Sequence, residues 1–187
     1  ADDIALVRGM TAKFSEHAQG NFYMHTGFPF LGSPSAGAWV NYGLGSVNQN
    51  LPGYVVLNNK TGIPHGGKSI FGNGFLPATT GASIFNLDQE EVVSRVRPSR
   101  PLKEQRASLE FLEQMDGAFA KRSAAEGDVQ SAIKNYETAF RMQSAVPELM
   151  DLDKEPAYLK RAYGFEHEDP LVAGYGQQCM VARRLVE

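Results

Sequence analysis

Residues 24–45 read MHTGFPFLGSPSAGAWVNYGLG and combine turn-forming glycines with the signals of a helix start. Ser33 followed by Pro34 predicts that a helix begins here, because a hydroxyl side chain caps the helix and proline suits its first position. The residues that we expect to form its buried face, at helical spacing, are Trp39, Val40 and Leu44. A segment this rich in glycine commonly brings the main chain close to a ligand, which favours a functional role.

On both sides of this segment the sequence predicts short strands that alternate with helices. A helix is expected over residues 17–25, with a turn at Gly27 after it. The apolar runs at residues 4–7 and 54–57 are typical of buried strands. We expect these two strands to be parallel neighbours, because a helical crossover favours parallel pairing. The glycine-rich residues 58–81 are too many for a structureless loop, so they are functional or contain short elements of their own.

The second half of the chain, from residue 86, has the periodicity of helices. Asp128 is predicted to cap the second of these helices, and Pro147 lies at its end. We expect the helices to form a layer on a sheet, which gives an α/β fold with a partial sheet, helices on its faces and a mostly helical second half. The four helices are predicted over residues 101–122, 128–146, 154–163 and 171–187.

The two ends of the sequence indicate a longer protein. No strand precedes residues 4–7 to pair with them, and residues 171–187 end without a capping residue. We therefore expect residues 1–187 to be one partial domain from the interior of a longer protein, with residues 1–85 and 86–187 as its two segments. An unpaired strand and the apolar residues of the last helix would be exposed, so we predict that the chain associates with itself.

Composition excludes several classes of function. The net charge of −3, with 42% hydrophobic and 21% charged residues, is typical of a globular protein that does not bind nucleic acid. The sequence has no apolar run long enough to span a membrane. Cys179 is the single cysteine, which excludes a disulfide framework and a thiolate zinc cluster within the chain.

Histidines and serines are the natural candidates for chemistry. His17 and His25 lie eight residues apart, near one face of the predicted helix but too far apart to share a metal ion. His65 belongs to a glycine loop, PHGGK, that lacks the spacing of a phosphate-binding P-loop. Ser33 and Ser35 lack the Gly-x-Ser-x-Gly pattern of a nucleophile, but the backbone N–H groups of their helix start could accept an anion.

Several blocks of the sequence resemble a known family. The pattern HTG, followed by GxPSxGxWVxYGLGSxNQxLPGxVVL, GKSxxGxGFLPxxxG and ARRLVE, resembles a large family of uncharacterised exported bacterial proteins. That family is placed in the alkaline phosphatase and sulfatase superfamily. The resemblance implies an exported protein, periplasmic or extracellular, that hydrolyses a phosphate or sulfate ester with a divalent metal ion (zinc, calcium or magnesium). Its substrate would be a small anionic ester.

The resemblance also implies roles for individual residues. When the Thr-Gly pair at residues 26–27 is aligned with that of sulfatases, His17 falls at the position of their nucleophile. His17 would then be a metal ligand, a phosphohistidine-type nucleophile or an acid/base group, or it has no chemical role. Ser33 stands where the family usually has arginine, so an anion-binding side chain would be lost there. The predicted anion-binding residues are Ser33, Ser35 and Gly37.

Two functions remain open at this point. The first is a metal-dependent hydrolase that is incomplete in this chain, because the superfamily's other metal ligands would lie outside residues 1–187. The 187 residues alone are then expected to have no turnover. The second is a non-catalytic member that binds a polyanion or a protein partner. We expect His17 and the helix start at residues 33–37 to face one cleft, because helix N-termini collect at the carboxyl ends of parallel strands.

Overall fold

The computed structural model describes residues 2–59, 62–94, 96–122 and 126–187, and within them the chain forms six α-helices and two β-strands. The first half contains α1 (His17–Thr26), α2 (Ala36–Leu44), β1 (Val55–Asn58) and β2 (Ser83–Asn86). The second half contains α3 (Leu102–Ala120), α4 (Glu126–Met150), α5 (Ala157–Ala162) and α6 (Pro170–Val186). The predicted α/β class with a mostly helical second half is confirmed. None of the described helices is both long and apolar enough to cross a bilayer.

β1 and β2 form a parallel pair that runs from Val55 opposite Ser83 to Asn58 opposite Asn86. At the end of the pair the Asn58 side-chain amide donates to the Asn86 side-chain oxygen at 2.9 Å. The strand predicted at residues 54–57 is therefore confirmed with a shift of one residue, and it pairs in parallel with β2, a strand that the sequence did not predict.

The partner predicted for this strand is wrong. Residues 4–7 form no strand, and Ile4 and Leu6 are 76% and 78% exposed. β2 takes the place beside β1 because its central residue, Phe85, is fully buried against the helices of the second half. Burial of a large side chain is the main source of free energy in such a pairing, and residues 4–7 leave theirs in solvent.

The connection between the two strands contains short elements, which was one of the two alternatives that the sequence left open for this segment. Two 3-10 helices lie in it, Gly67–Phe71 and Ala78–Thr80. The first of them buries Ile70 and Phe71 against Phe22 of α1, which forms a small apolar cluster. The long glycine-rich connection is therefore held on the rest of the molecule by its own hydrophobic side chains.

The main core lies between the sheet and the helical layer. α6 packs against both α4 and β1. The side chain of Gln178 in α6 donates to the carbonyl oxygen of Leu57 at 3.3 Å and accepts from the Asn59 amide at 3.1 Å. The predicted packing of a helical layer on the sheet is thus observed. The buried members of this core are Phe85, Val96, Met142, Val146, Leu149 and Val181.

The start of α2 differs from the prediction by two residues. Ser35, not Ser33, is the N-cap, since its hydroxyl accepts a hydrogen bond from the Ala38 N–H at 3.4 Å. The predicted buried face is also wrong, because Trp39, Val40 and Leu44 are 46%, 59% and 86% exposed. Only the small side chain of Ala38 is buried in this helix.

The helices of the second half occur where they were predicted, with shifted ends. α4 continues past Pro147 to Met150, and Asp128 lies in its first turn rather than at its cap. A proline in the last turn removes one backbone donor but leaves most of the helix intact. The third predicted helix is split into a 3-10 turn, Leu152–Lys154, and α5. The fourth, α6, is capped by Asp169, whose side chain accepts from the Leu171 N–H at 2.8 Å.

Candidate functional site

His17 lies at the first position of α1, with its side chain exposed to solvent. Its ring stacks on the ring of His65, with 5.3 Å between the ring centroids and 28° between the planes. Glu16 caps the same helix and accepts a hydrogen bond from the Gln19 N–H at 3.0 Å. The structure thus places two imidazoles side by side, next to a carboxylate, at the N-terminal end of a helix.

His65 is held in this position by the backbone of its loop. The side-chain amide of Asn21 in α1 donates to the His65 carbonyl oxygen at 2.8 Å. The next two residues, Gly66 and Gly67, have positive φ values of 104° and 70°. A Cβ at Gly66 would also lie 2.7 Å from the Ile70 side chain, so the glycine is required both by its dihedral angles and by space. These constraints fix the backbone of the loop next to α1, where the His65 ring reaches His17.

The electrostatics of the pair are governed by Glu16. Backbone hydrogen bonds from Gln19 and Ala18 hold the pKa of the Glu16 carboxyl below its usual value, and the nearby His17 and His65 lower it further. Glu16 therefore stays ionised at neutral pH and places a negative charge beside the two rings. Imidazole is the side chain that most readily takes and gives a proton near neutral pH, which suits this pair to acid–base chemistry.

The pair does not make a complete metal site within the described residues. No group of three or more histidine, cysteine, aspartate or glutamate side chains is close enough there to hold a metal ion. His17 and His65 offer two nitrogen donors, whereas a catalytic zinc ion has three protein ligands. The donor set of residues 2–59, 62–94, 96–122 and 126–187 therefore does not fit a metal ion on its own.

The predicted anion site at the start of α2 is closed by other parts of the chain. Ser35 is buried, and its hydroxyl and its N–H both donate to the Gly72 carbonyl oxygen, each at 3.0 Å. A hydrogen bond also links its side chain to Tyr54, whose pKa is raised mainly by burial. The ring of Tyr54 lies over Gly37, where a Cβ would overlap it. Ser33 is half-buried, and its carbonyl carbon would be 2.5 Å from a Cβ at Gly74.

The structure therefore brings His17 together with His65, and it packs Ser33 and Ser35 against the β1–β2 connection and Gly37 against the ring of Tyr54. Within the described residues, no hydrogen bond, ion pair or ring contact joins the two sets. None of these contacts links His17 to the start of α2, so the cleft that was expected to contain both stays a prediction. The catalytic role of His17 and the anion-binding role of the other three stay predictions.

The sequence did not identify His65 and Glu16 as neighbours of His17. His65 is 48 residues away in the chain, and its loop was judged only by comparison with phosphate-binding motifs. The signal that was available is the Gly66–Gly67 pair, because two adjacent glycines after a histidine indicate a backbone bent to place that residue. Glu16 was detectable as an acidic N-cap before a helix.

The comparisons with known proteins identify a family and no characterised relative. A family sequence model described as "Protein of unknown function (DUF1501)" matches residues 1–187. No curated protein and no solved structure matches the chain. The match covers the histidine pair and the α2 start alike, so both belong to the part of the chain that the family shares.

Proposed function

The chain belongs to the DUF1501 family, and we propose that it forms part of an exported hydrolase that acts on a phosphate or sulfate ester. The observation that carries the proposal is the exposed, stacked pair of His17 and His65 at the start of α1. The resemblance of several sequence blocks to the alkaline phosphatase and sulfatase superfamily supports it, because His17 aligns with the nucleophile position of sulfatases.

The proposed chemistry needs two proton transfers, and the pair provides two imidazoles. Water adds to the phosphorus or sulfur atom while one ring takes its proton, and the bond from that atom to the ester oxygen breaks. The leaving alcohol takes its proton from the other ring, so one phosphate or sulfate and one alcohol are formed from one ester and one water. Acid–base catalysis of this kind contributes about 10²- to 10⁴-fold to a rate.

A divalent metal ion (zinc, calcium or magnesium) is part of the proposal only with ligands from outside the described residues, since the two imidazoles do not suffice. The proposal also places the protein in the periplasm or outside the cell. Elemental analysis of the purified complete protein and fractionation of the producing cells test these two statements. A metal-free active enzyme, or one confined to the cytoplasm, would contradict them.

A second candidate is a binding or structural member without turnover. One observation favours it: position 17 carries no hydroxyl or thiol, and the Ser35 hydroxyl at the start of α2 already donates to the Gly72 carbonyl oxygen and accepts from the Ala38 N–H. Neither of these two residues therefore presents a free hydroxyl or thiol nucleophile.

Turnover of p-nitrophenyl phosphate and p-nitrophenyl sulfate by the complete protein decides between the two candidates. The hydrolase proposal predicts turnover of at least one of them and a loss of about 10²-fold or more in kcat/KM for His17→Ala. His167→Ala is the matched control, because His167 is equally exposed and lies outside this pair. No turnover of either ester, with retained binding of phosphate or sulfate, would favour the non-catalytic candidate.

A further inference from the structure

A cleft of about 1170 Å³ lies between α4 on one side and α2 with the β1–β2 connection on the other. It is larger than the ~300–1,000 Å³ that is usual for sites of small ligands, so it has room for an elongated ligand. His17, His65 and Ser35 do not line it. The cleft is therefore separate from the site of the proposed hydrolase, and its ligand can be inferred independently of that proposal.

α4 forms one wall of the cleft. Gln130, Lys134, Thr138 and Arg141 all line the cleft and occur at intervals of three or four residues, which brings them to the same side of the helix. Asn135 lies beside them, also in the lining. The side-chain amides of Gln130 and Asn135 are exposed and form no hydrogen bond with the described residues, so they are free to bind a ligand.

The opposite wall is built from amides, hydroxyls and one aromatic ring. Asn41 is fixed there by a hydrogen bond from its side-chain amide to the Thr79 carbonyl oxygen at 3.3 Å. Tyr42 is exposed at the cleft, and its ring is edge-on to Trp39 at a centroid distance of 6.2 Å. Among the described residues, seven side-chain amides and seven hydroxyls line the cleft in total.

The cleft is lined by charges of both signs. The cations are Lys68, Lys134 and Arg141, and the anions are Glu113 and Glu137, so the lining carries three cations and two anions. Glu137 is paired with the Arg106 guanidinium at 2.8 Å, and Arg141 donates to the Gln49 carbonyl oxygen at 3.1 Å. A cleft for a polyanion is lined mainly by one sign of charge, whereas this lining carries both signs.

We propose that this cleft binds a neutral carbohydrate chain. Side-chain amides and hydroxyls both donate and accept hydrogen bonds, and so do the hydroxyl groups of a sugar, so the two surfaces match without charge. The exposed ring of Tyr42 supplies an apolar surface with a polar end, on which the C–H face of a sugar ring packs. The size of the cleft accommodates several linked units rather than one.

Affinity electrophoresis of the complete protein tests the proposal. Native gels contain laminarin, galactomannan or xylan as neutral probes, and dextran sulfate as an anionic probe. At least one neutral polysaccharide is expected to retard the protein, and Tyr42→Ala or Asn135→Ala should weaken this apparent affinity at least tenfold. Tyr158→Ala and Gln114→Ala are the matched controls, because both residues are exposed and lie outside the cleft.

The proposal is overturned if only dextran sulfate retards the protein, or if none of the four polysaccharides does. It is also overturned if Tyr42→Ala and Asn135→Ala are retarded to the same extent as the unchanged protein. Acylation of Lys134 in the complete protein is a second measurement. If Lys134 resists acylation without any glycan, polypeptide fills the cleft and the proposal fails. The His17→Ala variant should retain its retardation, so loss of ester turnover and loss of glycan binding are distinguishable.

Discussion

Gly176 lies where α6 passes over the carbonyl group of Tyr163, and a side chain at this position would collide with that backbone oxygen. Gly174, two residues earlier in the same helix, has nothing within 4 Å of the place where a Cβ would be. A change from glycine to alanine therefore places a Cβ against backbone atoms at position 176 and in open space at position 174. Neither glycine has a positive φ, so space alone distinguishes them.

Gly176→Ala is expected to lower the free energy of unfolding by about 1–3 kcal/mol, because α6 must move away from Tyr163. Gly174→Ala should raise it by up to about 1 kcal/mol, because alanine favours a helix over glycine. Urea denaturation of the two variants measures both values. Equal stabilities would show that α6 does not approach Tyr163 this closely.

At the scale of elements, the segment before α5 is joined to α6 by one carboxylate. Glu155 is largely buried and contacts the Arg183 guanidinium at 2.6 Å and the Arg184 guanidinium at 2.7 Å. Hydrogen bonds from Arg183 and then Arg184 hold the pKa of the Glu155 carboxyl below its usual value. A lowered pKa in the folded state means that the ionised form is bound more strongly there than in the unfolded chain.

This contact makes stability depend on pH in a defined direction. Its contribution is present above the ordinary glutamate pKa and is lost as the pH falls through the lowered one. Glu155→Gln should therefore lower Tm at pH 7, and the difference from the unchanged chain should shrink in acid. Glu90→Gln is the control, because its pair with Arg97 is exposed on both sides. Thermal melts at pH 7 and in acid measure this difference in Tm. A Glu155→Gln difference that does not shrink in acid would contradict the expected pH dependence.

The contact between the sheet and the helical layer depends on Phe85. Phe85→Ala is expected to lower the free energy of unfolding by about 3–5 kcal/mol, because it opens a cavity between β2 and the helices α4 and α6. Tyr158→Ala should change it by less than about 0.5 kcal/mol, since that ring is exposed on α5. Chemical denaturation compares the two, and similar losses would mean that the core is not where the structure places it.

Periodicity and capping rules predicted the helices well because those signals are local. α1 and α6 begin within one residue of their predicted positions. β2 was missed because it is only four residues long, and its place in the sheet depends on burial by distant helices. The cap of α2 was misplaced because Ser33 and Ser35 both fit the rule, and the choice is made by hydrogen bonds from Ser35 to Gly72.

At the scale of the whole molecule, much apolar surface is exposed. The face of α6 that was predicted to mediate self-association is partly covered within the chain, since Met180 and Val181 are buried. Another set of exposed apolar residues lies along α3: Leu102, Phe111, Leu112, Met115 and Phe119. Apolar patches of several hundred Å² are uncommon on monomers, so self-association of the 187-residue chain stays our prediction.

Sedimentation velocity of this chain at micromolar concentration should show dimers or larger species. Phe111→Glu combined with Phe119→Lys places charges on the exposed face of α3 and should shift the distribution toward monomer. The pair Glu113→Gln and Gln114→Ala, on the same helix, is the control for changes of sequence that leave the apolar side chains in place. A monomer at all concentrations would contradict the prediction.

The candidate site is also a property of the whole molecule, because His17 and His65 come from distant positions in the chain. The exposure of His17 at a helix start followed from the sequence, but its contact with His65 depends on the path of the β1–β2 connection. No local pattern contains that information. The pairing is a property of the folded chain, and the central claim is that the two rings act together.

A double-mutant cycle on the complete protein tests that claim most directly. The kcat/KM for p-nitrophenyl phosphate or p-nitrophenyl sulfate is measured for His17→Ala, His65→Ala and the double variant, with His167→Ala as control. If the two imidazoles work as a unit, each single change costs about 10²-fold or more and the double change costs little beyond that. Losses that multiply, or single variants as active as the control, would show that the pair is not the site.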